Sequence, residues 1–355
     1  MSQDRNAAIW SGYCLCILLT ACESAQPTDP AWSSLSEPAS NDPQSLSSTW
    51  ATRRSLAPSR ILIEAGAING IVYVVGGERV DPSTGVLRPI SRVDAYNVAT
   101  NTWSQVASLP GARGLVNGAS VIDGKLYVTG GRNAVLTAEY LWKATKTLFV
   151  YDPRTNNWTR KADMPPAGCA GVQGVLAGQL YVYLPPVGGG AACGGSPQTG
   201  LFFRYNPATD TWMRRAAPPS DHKDGAGRVI NNRFYLAGGH RLSPCAIDGE
   251  PTFCDELSRQ LDVYNAATNT WETKAPLPNI WGGMAAAVLN GRLFLVGGYG
   301  WASDFPLAKV EAYDPLTNRW MAIAPLPAGS SGGAAATVGS RIFYISGTQV
   351  YAYTP

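Results

Sequence analysis

The chain of 355 residues contains only two histidines, His222 and His240. His222 lies in the run Asp221-His222-Lys223-Asp224, where an imidazole titrating near neutral pH could move a proton between flanking charges. Arg60 and Arg113 each offer a planar fork for a carboxylate or phosphate, and Trp281 offers a face on which a sugar can stack. Glu78, Asp224 and Tyr299 add two carboxylates and a phenol. These residue types suit acid–base proton transfer, with Glu78 or His222 as acid or base and an arginine fork holding an anion. The expected ligand-binding set is Arg60, Arg113, His222, Asp224, Trp281 and Tyr299, with Glu78 and His222 as catalytic candidates.

Other chemistries find less support. His240 with Asp248, Glu250 or Asp255 has the residue types of a metal site, but an acidic loop of this kind reads as solvated, so no metal is expected. There is no phosphate loop, zinc motif or nucleophile elbow, and GxGxxG-like strings lack the strand–loop–helix unit that gives them meaning. No cofactor is expected. Lys and Arg number 28 against 25 Asp and Glu, a formal charge of +3 without a basic block, which argues against a nucleic-acid partner. With 45% apolar and 15% charged residues the chain can bury a large core, and 38 Gly with 26 Pro imply many turns.

The elements that must position these residues are set by an internal repeat. Tyr-x6-Trp occurs five times, as Tyr96/Trp103, Tyr151/Trp158, Tyr205/Trp212, Tyr264/Trp271 and Tyr313/Trp320, at spacings of 49 to 59 residues. An apolar strand precedes each, and four of these strands end in Gly-Gly: Gly76-Gly77, Gly130-Gly131, Gly238-Gly239 and Gly297-Gly298. This pattern resembles the kelch repeat, one four-stranded blade of a β-propeller. The resemblance covers residues 48–355 and implies an all-β fold.

Each repeat Trp stands 26 or 27 residues before the end of the next blade's second strand. Counting 26 back from Gly76 reaches Trp50, whose missing Tyr is supplied by Tyr353 near the C-terminus. The phase therefore predicts a six-bladed propeller whose last blade takes three strands from residues 333–355 and its outer strand from around Trp50. Blade three departs from the pattern, with Leu184-Pro185 in place of Gly-Gly, and blade six carries Ser346-Gly347. The repeated Tyr, Trp and small inner-strand residues read as structural.

In such a blade the 1–2 and 3–4 turns share one face and the 2–3 and 4–1 loops the other. The first set is short. The stretches between Gly-Gly and Tyr vary, with 18, 19, 24 and 14 residues in blades one, two, four and five, so function is expected on the loop face. Arg60, Arg113, Gly168, His222, Trp281 and Gly329 stand where the six inner strands begin, and Glu78, Arg132, His240 and Tyr299 follow second strands on the same rim.

Residues 1–21 contain an apolar stretch, 7–21, too short to span a bilayer, which closes on Leu19-Thr20-Ala21 directly before Cys22. This resembles a bacterial lipoprotein signal, which implies a lipid on Cys22 and a place in the cell envelope, periplasmic or at the surface. Residues 22–47, rich in Ser, Pro and Ala, read as a flexible tether. Cys14 and Cys16 leave with the signal, so Cys169, Cys193, Cys245 and Cys254 remain. In an oxidising compartment four cysteines read as two disulfides, with Cys169–Cys193 and Cys245–Cys254 favoured among three pairings.

Kelch propellers are mostly binding scaffolds. The resemblance thus implies a protein or carbohydrate ligand at the loop face, with a membrane reached through Cys22. Extracytoplasmic relatives include a six-bladed sialic acid mutarotase, so a mutarotase or epimerase-like activity is the alternative. A galactose-oxidase-like copper site fails on the histidine count.

Overall fold

A computed structural model describes residues 49–134, 142–186, 200–247, 250–300 and 306–355. The expected signal and tether, Cys22, Cys193 and Asp248 lie outside the described residues. The strands among the described residues form six four-stranded antiparallel sheets and three hairpins.

The first strand, β1 (Thr49–Thr52), belongs to the last blade. Blade one comprises β2 (Glu64–Ile68), β3 (Ile71–Val75), β6 (Val93–Asn97) and β7 (Thr102–Val106), with β4 (Glu78–Val80) and β5 (Leu87–Pro89) forming a hairpin inserted after β3. Blade two comprises β8 (Ala119–Ile122), β9 (Lys125–Thr129), β12 (Leu148–Asp152) and β13 (Asn157–Lys161), with the hairpin β10 (Arg132–Ala134) and β11 (Trp142–Ala144). Blade three comprises β14 (Val172–Leu176), β15 (Gln179–Leu184), β16 (Leu201–Asn206) and β17 (Thr211–Arg215). Blade four comprises β18 (Ala226–Ile230), β19 (Arg233–Ala237), β22 (Leu261–Asn265) and β23 (Thr270–Thr273), with the hairpin β20 (His240–Ile247) and β21 (Glu250–Leu257). Blade five comprises β24 (Ala285–Leu289), β25 (Arg292–Val296), β26 (Val310–Asp314) and β27 (Arg319–Ala322). Blade six comprises β28 (Ala334–Val338), β29 (Arg341–Ser346) and β30 (Gln349–Thr354), and is completed by β1 in the order β1-β30-β29-β28.

Local sequence accounts for the hairpins within blades. Asn69-Gly70, Asp123-Gly124, Ala177-Gly178, Asn231-Asn232 and Asn290-Gly291 all place both central residues at positive φ, the two-residue turn whose twist matches the flanking strands. Strands β2, β8, β14, β18, β24 and β28 are built largely from small residues, which lets six of them crowd around one axis.

The repeat residues form the joints between blades. Tyr96 pairs across strands with Trp103, as Tyr151 does with Trp158 and Trp50 with Tyr353, with ring centroids 4.9, 5.1 and 5.2 Å apart. Each Trp Nε1 donates to a carbonyl that follows the preceding blade's outer strand. Trp158 donates to Ala107, Trp212 to Ala162 and Trp271 to Ala216 at 2.8, 2.8 and 2.7 Å. The same Ala107 donates its N–H to Asn156 Oδ1 at 2.9 Å, and Asn156 also accepts from Tyr151 Oη at 2.8 Å. Asn101, Asp210, Asn269 and Asn318 repeat this role at left-handed φ values of 54 to 56°, a conformation Asn and Asp tolerate best after Gly. Ring closure uses the same joint, because Trp50 Nε1 donates to Ala324 O at 2.8 Å. The core lies between blades, as where Tyr235 and Leu261 of blade four pack with Ala286, Leu293 and Leu295 of blade five.

Candidate functional site

The residues expected at the axial rim occupy a seam between neighbouring blades. The second glycine of each Gly-Gly donates its N–H to the lead-in of the next inner strand: Gly77 to Arg113 O, Gly131 to Gly168 O, Gly239 to Trp281 O and Gly298 to Ser330 O, at 2.7 to 3.0 Å. Gly347 does the same to Arg60 O at 3.1 Å. The approach is so close that a Cβ on Gly130 would lie 2.3 Å from Gly168 O, and one on Gly76 2.5 Å from Arg113 O. Positions that sequence phase placed at an open mouth are therefore where one blade presses on the next.

Their side chains follow the backbone inward, away from the open rim. Arg60 is 1% exposed, and its Nη2 meets Asp94 at 2.7 Å. Burial pulls its pKa down while Asp94 opposes the shift, and its Nε and Nη1 are enclosed without a partner among the described residues. Trp281 is fully buried and donates Nε1 to Gly297 O at 2.6 Å. Glu78 is also fully buried, where both oxygens accept from Arg132, Oε1 from Nε at 2.6 Å and Oε2 from Nη2 at 2.7 Å. That guanidinium stacks 4.4 Å above the Trp142 ring, tying the first two loop-face hairpins together.

His222 is fully buried as well, with Nδ1 2.9 Å from Gly238 O and Nε2 3.1 Å from Asp262 Oδ2. Both ring nitrogens thus lie within hydrogen-bond reach of an oxygen. Burial raises the Asp262 pKa, but His222 and the hydroxyls of Thr273 and Ser220 outweigh it and hold the carboxyl below its ordinary value. His222 N–H donates to Tyr183 Oη at 3.0 Å, a tie used where blade three lacks its Gly-Gly. Glu78, His222, Arg60 and Trp281 are thus clasps, with no face open to a substrate.

Three loop-face residues remain partly open and meet. Tyr299 Oη donates to Asp224 Oδ2 at 3.3 Å, so its oxygen accepts from His240 Nε2 at 2.9 Å. The Tyr299 ring lies against Gly282 and Gly283, where a Cβ on Gly283 would come within 2.3 Å of it. Arg113 is also half-buried, its Nη1 donating to Ala112 O at 2.7 Å, and burial followed by repulsion from Arg160 lowers its pKa. Cys169 is buried and disulfide-bonded. In the β20–β21 ladder Cys245 stands opposite Thr252 and Cys254 opposite Ser243, which makes the two cysteines diagonal neighbours.

The axis itself holds two charged groups, Glu64 on β2 and Arg228 on β18. They line a cavity of about 30 Å³ at the loop-face end of the axis, together with Asn117, Val172, Ala285 and Ala334. Arg228 spans the channel, donating Nη1 to Gly227 O at 2.9 Å and Nη2 to Ala335 O of blade six at 3.1 Å. Burial raises the Glu64 pKa to about 7, against the pull of Arg228 and the Ala65 backbone. Beyond Arg228 the channel widens toward the short-turn face into a chamber of about 280 Å³.

A family model described as the KLHDC2/KLHL20/DRC7 Kelch-repeats domain matches residues 118–347. The chain belongs to the kelch-repeat family. A Kelch motif model also matches residues 60–110. Kelch-like protein terF of Aspergillus terreus is 30% identical to this kelch chain over 249 residues, covering 66% of it and 49% of that protein. Kelch-like protein 23 of Homo sapiens is 25% identical over 229 residues, covering 64% and 36%, and the F-box/kelch-repeat protein At1g22040 of Arabidopsis thaliana is 31% identical over 212 residues, covering 54% and 41%. The kelch chain thus spans less than half the length of these relatives. Among solved structures, one titled "Structure of YjhT" aligns with a TM-score of 0.62 at 16% identity, covering 85% of this chain and 95% of that one, a likeness of fold.

Sequence reading of this kelch propeller missed Glu64 and Arg228. Their signal was present, since EAGAI and AGRVI are the two inner strands that carry a charge among small residues.

Proposed function

We propose that this kelch propeller is an extracytoplasmic docking module that binds a protein partner through its loop face and is held to a membrane by a lipid on Cys22. The observation that carries the reading is the contrast between the two ends of the ring. One face bears hairpins rising from blades one, two and four, two of them clasped by the Glu78–Arg132 pair, while the other bears tight turns. A rigid scaffold with varied loops on one side is the usual arrangement for recognition. The axial cavity at the loop face, about 30 Å³, has room for a water or two, whereas small-ligand pockets run to roughly 300–1,000 Å³. That favours a protein over a sugar held at the loop-face end of the axis, and over a mutarotase-like reaction there. The disulfide at Cys169 suits an oxidising compartment.

The test compares two faces of the same protein. Arg241 and Glu256 form an exposed pair across β20 and β21, 54% and 46% accessible, whereas Leu316 is 90% exposed on a short turn of blade five. Proteins crosslinked to the full chain in membrane extracts are expected to be lost with Arg241→Glu and kept with Leu316→Asp. Equal loss or equal retention in both would refute loop-face docking. A thermal-shift screen against neutral and acidic sugars is expected to be flat, and stabilisation by one sugar would move the reading to carbohydrate. A Cys22→Ala chain that still fractionates with membrane would rule out the lipid.

A further inference from the structure

The chamber on the turn-face side of Arg228 has features that docking on the opposite face does not use. Its volume is about 280 Å³, and its walls come from inner strands of all six blades, among them Ala67, Val121, Val175, Val288 and Ala336. These walls are mostly small and apolar. The polar Gln173 is already engaged, its Nε2 donating to Tyr127 O at 2.8 Å and its Oε1 accepting from Thr129 at 2.7 Å. Thr337 likewise donates to Val288 O at 2.7 Å.

Arg228 closes the inner end of this chamber and is incompletely satisfied. Of its five N–H donors, the structure shows one on Gly227 O and one on Ala335 O, both neutral carbonyls. No carboxylate forms an ion pair with it among the described residues. Glu64 acts on it through space, from the blade opposite across the axis. A part-buried guanidinium without a paired anion keeps donors for an incoming one, and a carboxylate meeting its planar fork gives two parallel charge-assisted hydrogen bonds. An apolar-walled chamber ending in an unpaired guanidinium has the shape and charge of a site for a small anion with a short hydrocarbon tail.

We propose that the axial chamber binds a short-chain monocarboxylate, its carboxylate on the free N–H groups of Arg228 and its tail against the Ala and Val walls. Glu64 opposes this binding, because its charge is the one facing Arg228 from the far side of the channel.

The probe is sodium propionate, titrated calorimetrically into the purified full chain at constant ionic strength, with propionamide as the uncharged isostere and chloride as the anion without a tail. Saturable binding is expected for propionate alone. Arg228→Gln is expected to weaken it at least tenfold, and Glu64→Gln to tighten it about threefold. Propionamide or chloride binding as well as propionate would overturn the proposal, and so would an absence of propionate heat. The ligand-side comparison needs no variant, so the proposal stays refutable even if Arg228→Gln fails to fold. If that variant folds and binds propionate as the wild type does, the site is not at Arg228.

Discussion

Replacing Glu64 by Gln tests the electrostatics of the axis directly. The side chain keeps its shape but loses the proton. In the unfolded chain the carboxyl titrates near 4.5, and in the fold burial lifts it to about 7. Between these values the folded state keeps a proton that the unfolded chain has released. Stability associated with Glu64 is therefore fully present below about 4.5 and declines as pH rises through about 7. At about 1.36 kcal/mol per tenfold difference in acidity the full loss is about 3 kcal/mol, and partial access to the channel brings it to about 2–3 kcal/mol. For a domain the size of Ser47–Pro355 the entropy of unfolding is roughly 0.65 kcal/mol per degree, so this corresponds to about 3–5 °C in Tm. The assay is scanning calorimetry of both proteins from pH 4.5 to 8.5. The Tm of Glu64→Gln is expected to gain about 3–5 °C on the wild type between the two ends of that range. A gap that stays constant across the range would refute the argument, since a packing effect carries no pH dependence.

Three further outcomes follow from the clasps and joints. Asp262→Asn takes from buried His222 its carboxylate partner and is expected to cost about 3–5 kcal/mol, with a His222→Gln/Asp262→Asn double variant recovering part of it; additive losses in that cycle would deny the coupling. Because Asp262 is held below its ordinary value, its stabilisation is present above the normal carboxylate range and fades as pH falls beneath it, which denaturant melts at pH 3 and 6 can read. Asn156→Ala removes an acceptor shared by Tyr151 and Ala107 and strains a left-handed residue, for about 2–4 kcal/mol, whereas Asn156→Gly relieves the strain and should lose less. Deleting Thr49–Thr52 strips blade six of its outer strand and is expected to lower the Tm and expose Tyr353 to proteolysis at neighbouring bonds; an unchanged melt would mean that ring closure contributes nothing.

The blade count and the shared last blade were legible because they depend on phase along the chain. Trp50 and Tyr353, 303 residues apart, were matched by counting alone, and the structure pairs them in register. The same counting located the inner-strand starts correctly but assigned them the wrong environment. Arg60, His222 and Trp281 begin inner strands, yet spacing carries no information on whether a strand start lies open or beneath its neighbour. The Gly-Gly pair held that information, since glycine there allows the next blade's carbonyl to within Cβ distance. Glu64 and Arg228 were hidden for a different reason. They meet across a ring, and opposition across an axis leaves no mark on local sequence beyond a charge in an otherwise small-residue strand.

The first strand also fixes an orientation. Outer strands run from the turn face toward the loop face, and β1 begins one of them, so whatever precedes Thr49 joins the ring on the turn side and at its outer edge. A load applied upstream would draw the turn face toward its source and leave the hairpins pointing away. It would also act on a strand held along its whole length by β30 and pinned through Trp50 to blade five. In the proposed reading the ring is held from one side and read from the other.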